Sequence, residues 1–138
     1  MVNLIKTWIL YIGSGCLSLG VYLIGGYDIL IKTLLVMMVI DYITGITKGY
    51  MNKNINSNIA YKGLRKKVMV LFIVVAASQM DIILQGVGVR TLVLMFYVAT
   101  EFLSILENAA ILGVPIPEKL KVALEQYKDR EEIKNKDR

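Results

Sequence analysis

Apolar residues of this chain are grouped in four long segments, and each segment is long enough for a membrane-spanning helix. The predicted spans cover residues 4–24, 29–48, 68–89 and 91–112. Each supplies about 20 residues, the length that an α-helix needs to cross a hydrocarbon core about 30 Å thick. The second span is predicted to be the weakest by hydropathy, because Lys32 and Asp41 interrupt it. Three spans are therefore the alternative to four.

The fourth segment has its polar side chains on one face of the predicted helix. At about 100° per residue these side chains fall within about a third of the circumference. They are Tyr97, Thr100, Glu101, Ser104, Glu107 and Asn108. The other side is apolar and includes Leu103, which is predicted to face lipid. A carboxylate near the bilayer midplane costs on the order of 3 kcal/mol, so Glu101 should face protein or water. The pattern fits a helix that lines a wet opening and equally a buried polar seam between helices.

The second and third spans carry an acidic residue on a similar face. In the second span Asp41, Thr44 and Lys48 recur at helical spacing, and in the third span Asp81 and Gln85 do so among small residues. Four short helices would shield three polar faces poorly from lipid in a monomer, so we expect the chain to form a homo-oligomer. The candidate lesion-lining residues are Asp41, Thr44, Asp81, Gln85, Tyr97, Thr100, Glu101, Ser104, Glu107 and Asn108.

Small residues form a stripe along the first span. Gly13, Cys16 and Gly20 follow one another at i, i+3 and i+7. Such a stripe lets another helix approach closely, so these residues are predicted to mediate helix packing. Cys16 is the single cysteine, which excludes an intramolecular disulfide and a cysteine-based metal site.

Charge is distributed unevenly over the connections between the spans. Residues 49–67 form a predicted basic loop that contains Lys62, Arg65, Lys66 and Lys67 and no acidic residue. An excess of Lys and Arg marks the cytoplasmic side, so this loop and both termini are predicted to be cytoplasmic. These four residues are candidates for contact with anionic lipid head groups. The net charge of +5 is thereby explained without a nucleic-acid partner.

The predicted fold is an all-α polytopic membrane protein of about four transmembrane helices with a short C-terminal amphipathic helix. The membrane domain covers residues 1–117. The fourth helix should end at Gly113–Pro117, because Gly permits the turn and Pro removes a backbone donor. The charged cytoplasmic tail covers residues 118–138, and its amphipathic helix is predicted for Glu118–Ile133.

Catalysis finds little support in the residues. The chain has no His, the most common general base and metal ligand. It also lacks a nucleophile elbow, a phosphate-binding glycine loop and an HExxH sequence. We therefore expect neither an enzyme nor a cofactor or metal.

Four sequence blocks resemble the phage-lysis and toxin-secretion holins of Gram-positive bacteria and their phages. The blocks are DYITG at 41–45, KGLRKK at 62–67, EFLSILEN at 101–108 and GVPIPEKL at 113–120. The resemblance extends over Val36–Tyr127 in the same order and spacing, and the last block is its most specific part. One departure follows Gly49, where the chain is rich in Asn and lacks the usual Ser-Lys pattern.

The resemblance implies a protein of the bacterial cytoplasmic (inner) membrane that forms homo-oligomers and opens a pore-like lesion. Such a lesion depolarises the membrane and lets endolysin or a toxin pass as cargo, which leads to host cell lysis (cytolysis). The alternatives are a small proton-coupled membrane transporter, in which an intramembrane carboxylate carries the proton, and a structural membrane adaptor that acts through its tail. Neither alternative involves general depolarisation.

Overall fold

The computed structural model describes residues 1–51, 57–120, 122 and 126, with side chains from Tyr61 onward in the second stretch. These residues form four α-helices: α1 (Val2–Leu23), α2 (Ile29–Met51), α3 (Ser57–Ile83) and α4 (Val89–Ile111). No strand occurs in the described ranges. The all-α prediction is confirmed.

The basic segment differs from the predicted loop. Helix α2 continues to Met51 and α3 begins at Ser57, so the described part of residues 49–67 is largely helical. Lys and Arg are good helix formers, and Gly63 alone does not interrupt the hydrogen-bonded backbone of α3. At its other end α3 stops at Ile83, earlier than the predicted span limit of 89. Residues 52–56 lie outside the described residues, and so do most of Glu118–Ile133, of which Glu118–Leu120 are helical.

Helix α4 ends as its sequence predicts. The amide of Gly113 donates to the carbonyl of Ala110 at 3.1 Å, and the amide of Val114 donates to Ala109 at 3.0 Å. Gly113 has a φ of 86°, a left-handed conformation that a residue without a Cβ adopts easily. This is the Schellman arrangement that closes a helix C-terminus.

Three of the described helices, α1, α2 and α4, are long and apolar enough to cross a membrane. The prediction that the second span is the weakest is wrong, because α2 is the most apolar of these three. Its charges, Lys32 and Asp41, are separated widely enough to leave long apolar stretches. Helix α3 is the one that falls short, since Lys66, Lys67 and Asp81 border its apolar part.

The apolar core lies between α2, α3 and α4. It consists of Ile31, Leu34 and Met38 of α2, Val74 of α3 and Leu94 of α4, all buried. Helix α2 packs most extensively on α4, and α3 packs mainly on α4. Helix α1 contains no buried residue and contacts α3 only sparsely. The many large apolar side chains exposed on the surface suit contact with lipid.

Candidate functional site

Three ionisable side chains from three helices meet inside the bundle. The Lys67 ammonium of α3 lies 2.8 Å from Asp41 Oδ2 of α2 and 2.5 Å from Glu101 Oε2 of α4. The side chains of Lys67, Asp41 and Glu101 are only 13, 16 and 11 % exposed. We call these three residues the ion triad. A single lysine thereby donates to two carboxylates that would be costly to place in lipid singly.

The ion triad lies near the middle of the helices that contribute to it. At about 1.5 Å per residue, Asp41 is about 18 Å from the start of α2 and Glu101 about 18 Å from the start of α4. Lys67 is about 15 Å from the start of α3. The antiparallel succession of α2, α3 and α4 brings these three positions to the same level.

Asn108 extends the polar network from α4 to α2. Its Nδ2 donates to Asp41 Oδ1 at 3.0 Å, to Thr44 Oγ1 at 3.1 Å and to the Asp41 carbonyl at 3.4 Å. Asn108 is 4 % exposed. Gly45 lies beside this contact, and a Cβ there would be at ordinary van der Waals distance, 3.7 Å, from Asn108 Nδ2. Asp41 therefore accepts from Lys67 with one carboxylate oxygen and from Asn108 with the other.

An open cleft of about 550 Å³ lies between α3 and α4 beside the ion triad. The triad forms part of its wall. The other polar residues lining the cleft are Arg65, Lys66, Tyr97, Thr100, Ser104 and Glu107. The predicted polar face of α4 is therefore divided: Glu101 and Asn108 are buried against α2 and α3, and its other members line the cleft.

Three expectations from the sequence need correction at this site. Lys67 was grouped with the residues at lipid head groups, but it points inward to Asp41 and Glu101, while Lys62, Arg65 and Lys66 are exposed. Leu103 does not face lipid, because it is half-buried and lines the cleft. The third correction is that self-association is not needed to shield Asp41, Glu101 and Asn108, because these side chains are paired within one chain.

A second polar cluster lies at the other end of the three-helix core, around Arg90. The Arg90 guanidinium donates to the Ile24 carbonyl at 2.6 Å, to the Gly26 carbonyl at 3.1 Å and to Asp28 Oδ2 at 2.5 Å. Asp28 Oδ1 accepts from the Ile31 amide at 3.0 Å and so caps α2. The hydrogen bond from Arg90 lowers the pKa of Asp28 below its ordinary value, and this carboxyl lies in the turn outside the helices.

The turn between α1 and α2 fits closely against Arg90. Gly25 has a φ of +85°, and a Cβ at this position would lie 2.9 Å from Arg90 Cδ. A larger residue would therefore collide with the Ser78 hydroxyl and with the Arg90 side chain. Arg90 was not recognised from the sequence, because a single basic residue at a helix start gives no signal of its partners across the chain.

Asp81 and Gln85 are separated from the ion triad. The Asp81 carboxylate accepts from the backbone amides of Gly88 at 2.8 Å, Val89 at 2.7 Å and Arg90 at 3.1 Å. It therefore caps the N-terminus of α4, where a negative charge is favourable. Gln85 lies in the exposed turn between α3 and α4. Along α3, Asp81 is about 21 Å from Lys67. The candidate lining residues therefore lie in two groups, one near the ion triad and one at the turn between α3 and α4.

The small-residue stripe of α1 has no packing partner among the described residues. A Cβ at Gly13 or Gly20 would meet nothing within 4 Å. Cys16 is exposed, and with Gly20 it borders an apolar groove of 390 Å³ that reaches Ile31 and Leu35 of α2. This surface is open to lipid or to another helix.

A buried charged network within a small bundle of apolar helices defines an α-helical membrane protein. The chain belongs to the bacteriophage holin family, whose model matches residues 18–129. This confirms the resemblance found in the sequence. The family is a non-enzymatic family of membrane proteins.

Relatives of the chain occur in Gram-positive bacteria and in a phage. It is 45 % identical over 125 residues to an uncharacterized 14.9 kDa protein in the nagH 3' region of Clostridium perfringens, covering 87 % of this chain and 95 % of that protein. It is 38 % identical over 129 residues to the uncharacterized protein YqxH of Bacillus subtilis, covering 91 % of each. It is 40 % identical over 85 residues to a probable holin of Bacillus phage phi105, covering 61 % of this chain and 63 % of the phage protein. No solved structure matches the chain.

Proposed function

We propose that the protein acts as a holin: it oligomerises in the bacterial cytoplasmic membrane and opens a lesion. The lesion depolarises the cell and releases an endolysin or a toxin. Family membership and the similarity to a probable phage holin support this function. The observation that carries it is the ion triad, because Asp41, Lys67 and Glu101 give one small bundle a set of charges that can be paired internally or hydrated.

The ion triad suits a protein that is first stable in lipid and later surrounds water. In the closed protomer both carboxylates are ion-paired with the one ammonium, so neither faces lipid alone. Separating buried ion partners without replacement is strongly unfavourable. Separation becomes favourable when several copies assemble and water replaces the lost partners. The cleft beside the triad offers the path by which water enters, and Thr100, Ser104 and Glu107 would line the resulting opening.

Contacts between copies are expected to use α1. Gly13 and Cys16 of its stripe are exposed, a Cβ at Gly13 or Gly20 would meet nothing within 4 Å, and membrane helices associate through such small residues. The orientation in this proposal has both termini in the cytoplasm. The exposed Lys62 then lies toward the cytoplasmic head groups, and the long side chains of Arg65 and Lys66 would extend toward the same head groups from near the level of the triad.

The test is induction of the protein in a bacterium with simultaneous measurement of membrane potential and of endolysin activity outside the cytoplasm. A holin produces a delayed, abrupt depolarisation followed by enzyme release. Accumulation of the protein in the membrane with an unchanged potential would contradict the proposal.

A small proton-coupled transporter is the second candidate, favoured by the open cleft that reaches two buried carboxylates. It requires a defined dimer and one indispensable carboxylate, and it leaves the bulk potential intact. Crosslinking of the membrane-bound protein separates the two functions, because a holin gives a polydisperse series of oligomers.

A further inference from the structure

We infer that Lys67 holds the closed state together and that the net charge of the ion triad sets the time at which the lesion opens. This inference rests on the proposed function. It assigns a timing role to Lys67, a residue whose basic neighbours in the sequence are all exposed.

Lys67 joins α3 to the rest of the bundle at the level of the triad. Among the described residues, the side-chain hydrogen bonds that cross from α3 to α2 and α4 at this level are those of Lys67 with Asp41 and Glu101. Helices α2 and α4 pack more extensively on each other than either packs on α3, and Asn108 joins them, whereas of the described residues of α3 only Val74 belongs to the buried apolar core. Movement of α3 away from the α2–α4 pair would therefore break both contacts of Lys67 and leave that pair intact.

The far end of α3 is fixed differently. There the Asp81 carboxylate accepts from three backbone amides at the start of α4. Asp81 of α3 thus caps the start of α4 at one end of the bundle, and Lys67 joins α3 to Asp41 and Glu101 near the middle of the helix. Because the cleft between α3 and α4 already opens beside Lys67, separation at the triad widens an existing entrance for water.

The charges of the triad do not cancel. Two carboxylates and one ammonium sum to −1 when all three groups are ionised. Buried uncompensated charge disfavours the closed state relative to a hydrated one. Glu107, Arg65 and Lys66 also line the cleft, but the salt bridges of the triad are those of Lys67 with Asp41 and Glu101. The excess charge of the triad therefore biases the protein toward opening, and Lys67 limits that bias.

This charge balance predicts that substitution of Lys67 and substitution of its acidic partners shift the time of opening in opposite directions. Lys67→Met keeps an unbranched side chain and changes the sum from −1 to −2, so opening should come earlier. Asp41→Asn and Glu101→Gln each change the sum to 0, so opening should come later. The combination Asp41→Asn, Lys67→Met and Glu101→Gln also gives 0 and should reverse the effect of Lys67→Met. A role of Lys67 in packing alone would not produce this reversal.

The experiment measures the interval from induction to abrupt depolarisation and lysis, at equal amounts of membrane-bound protein. We expect Lys67→Met to shorten the interval at least twofold and the triple variant to restore or exceed the wild-type interval. Lys32→Met is the control, because Lys32 is an exposed lysine of α2 about 14 Å along the helix from Asp41; its interval should equal that of wild type.

Two results would overturn the inference. One is a Lys67→Met interval equal to or longer than that of wild type at equal membrane content. The other concerns a Lys67→Met protein that fails to accumulate in the membrane. The triple variant has no uncompensated charge, so it should then accumulate. Its failure to accumulate would contradict the role of Lys67 in charge compensation. In either case, a wild-type protein that still depolarises cells leaves the proposed function standing, whereas wild-type protein that never depolarises them refutes that function itself.

Discussion

Lys67 and Glu101 are 34 positions apart in the sequence, yet the ammonium of one lies 2.5 Å from a carboxylate oxygen of the other. The same ammonium contacts Asp41, so one basic residue of α3 compensates an acidic residue on each of two other helices. The contact pairs both charges inside one chain, so neither is an isolated charge on a lipid-facing helix. Glu101 is largely buried in the single chain, and its full hydration requires that α3 and α4 separate.

Asn108 is expected to stabilise the pairing of α2 with α4. Asn108→Ala removes the donor to Asp41 Oδ1 and Thr44 Oγ1, and it leaves these half-buried acceptors without that hydrogen bond. The cost should be about 1–3 kcal/mol of unfolding free energy. Denaturant unfolding in detergent measures it, with Ser104→Ala, at the half-buried cleft wall, as the control. Equal stability of the two variants would show that the Asn108 contacts contribute nothing.

Arg90 is expected to hold α1 against the three-helix core. Arg90→Gln removes the guanidinium contacts to Asp28 and to the Ile24 and Gly26 carbonyls. Since α1 has no buried residue, this loss should expose the turn that follows α1. Limited proteolysis at the turn should become faster in Arg90→Gln than in Lys32→Gln, which changes an exposed cation near the start of α2. Identical cleavage rates would exclude this role.

The fold was largely predictable, whereas the partners of the charged residues were not. Uncharged runs and the Gly113–Pro117 sequence indicated the helices and the end of α4, because these signals are local. The inward direction of Lys67 was missed, since composition groups it with Lys62, Arg65 and Lys66. Asp81 resembles a lining residue by periodicity, but it is a cap for α4 because the turn of residues 84–88 folds the α4 N-terminus onto it. Pairing between helices depends on their relative rotation, which one sequence does not specify.

The α1 stripe should matter for assembly and not for insertion. Gly20→Ile adds apolar bulk where a neighbouring helix would approach, so membrane content should stay constant while crosslinked oligomers decrease. Gly15→Ile is the matched control: a Cβ there also meets nothing within 4 Å, but Gly15 lies off the stripe. If both variants give the wild-type crosslinking pattern, the stripe faces lipid in the assembly.

The predicted orientation places residue 54 in the cytoplasm, although this position lies outside the described residues. In a Cys16→Ser background, Asn54→Cys should resist a membrane-impermeant thiol reagent added to intact cells. The same cysteine should react after the cells are opened. Ready labelling of intact cells would refute the orientation with both termini inside.

The central claim is that hydration of the triad carboxylates drives opening. Glu101→Gln leaves Lys67 paired with Asp41 as a neutral pair, so it should insert, oligomerise and delay lysis. Glu101→Leu also removes the polar group that an open lesion would hydrate, and it should give a stably inserted, non-lytic protein. Met95→Leu serves as the control, because Met95 is 58 % exposed on the apolar surface and the exchange conserves its volume closely.

The most direct test is the membrane potential of cells that express Glu101→Leu at the wild-type membrane level, followed from induction past the wild-type lysis time. The account predicts that the potential persists in Glu101→Leu cells, while Met95→Leu cells depolarise on the wild-type schedule. Depolarisation and lysis of Glu101→Leu cells on that schedule would contradict it, because the polar face of α4 would then not line the lesion.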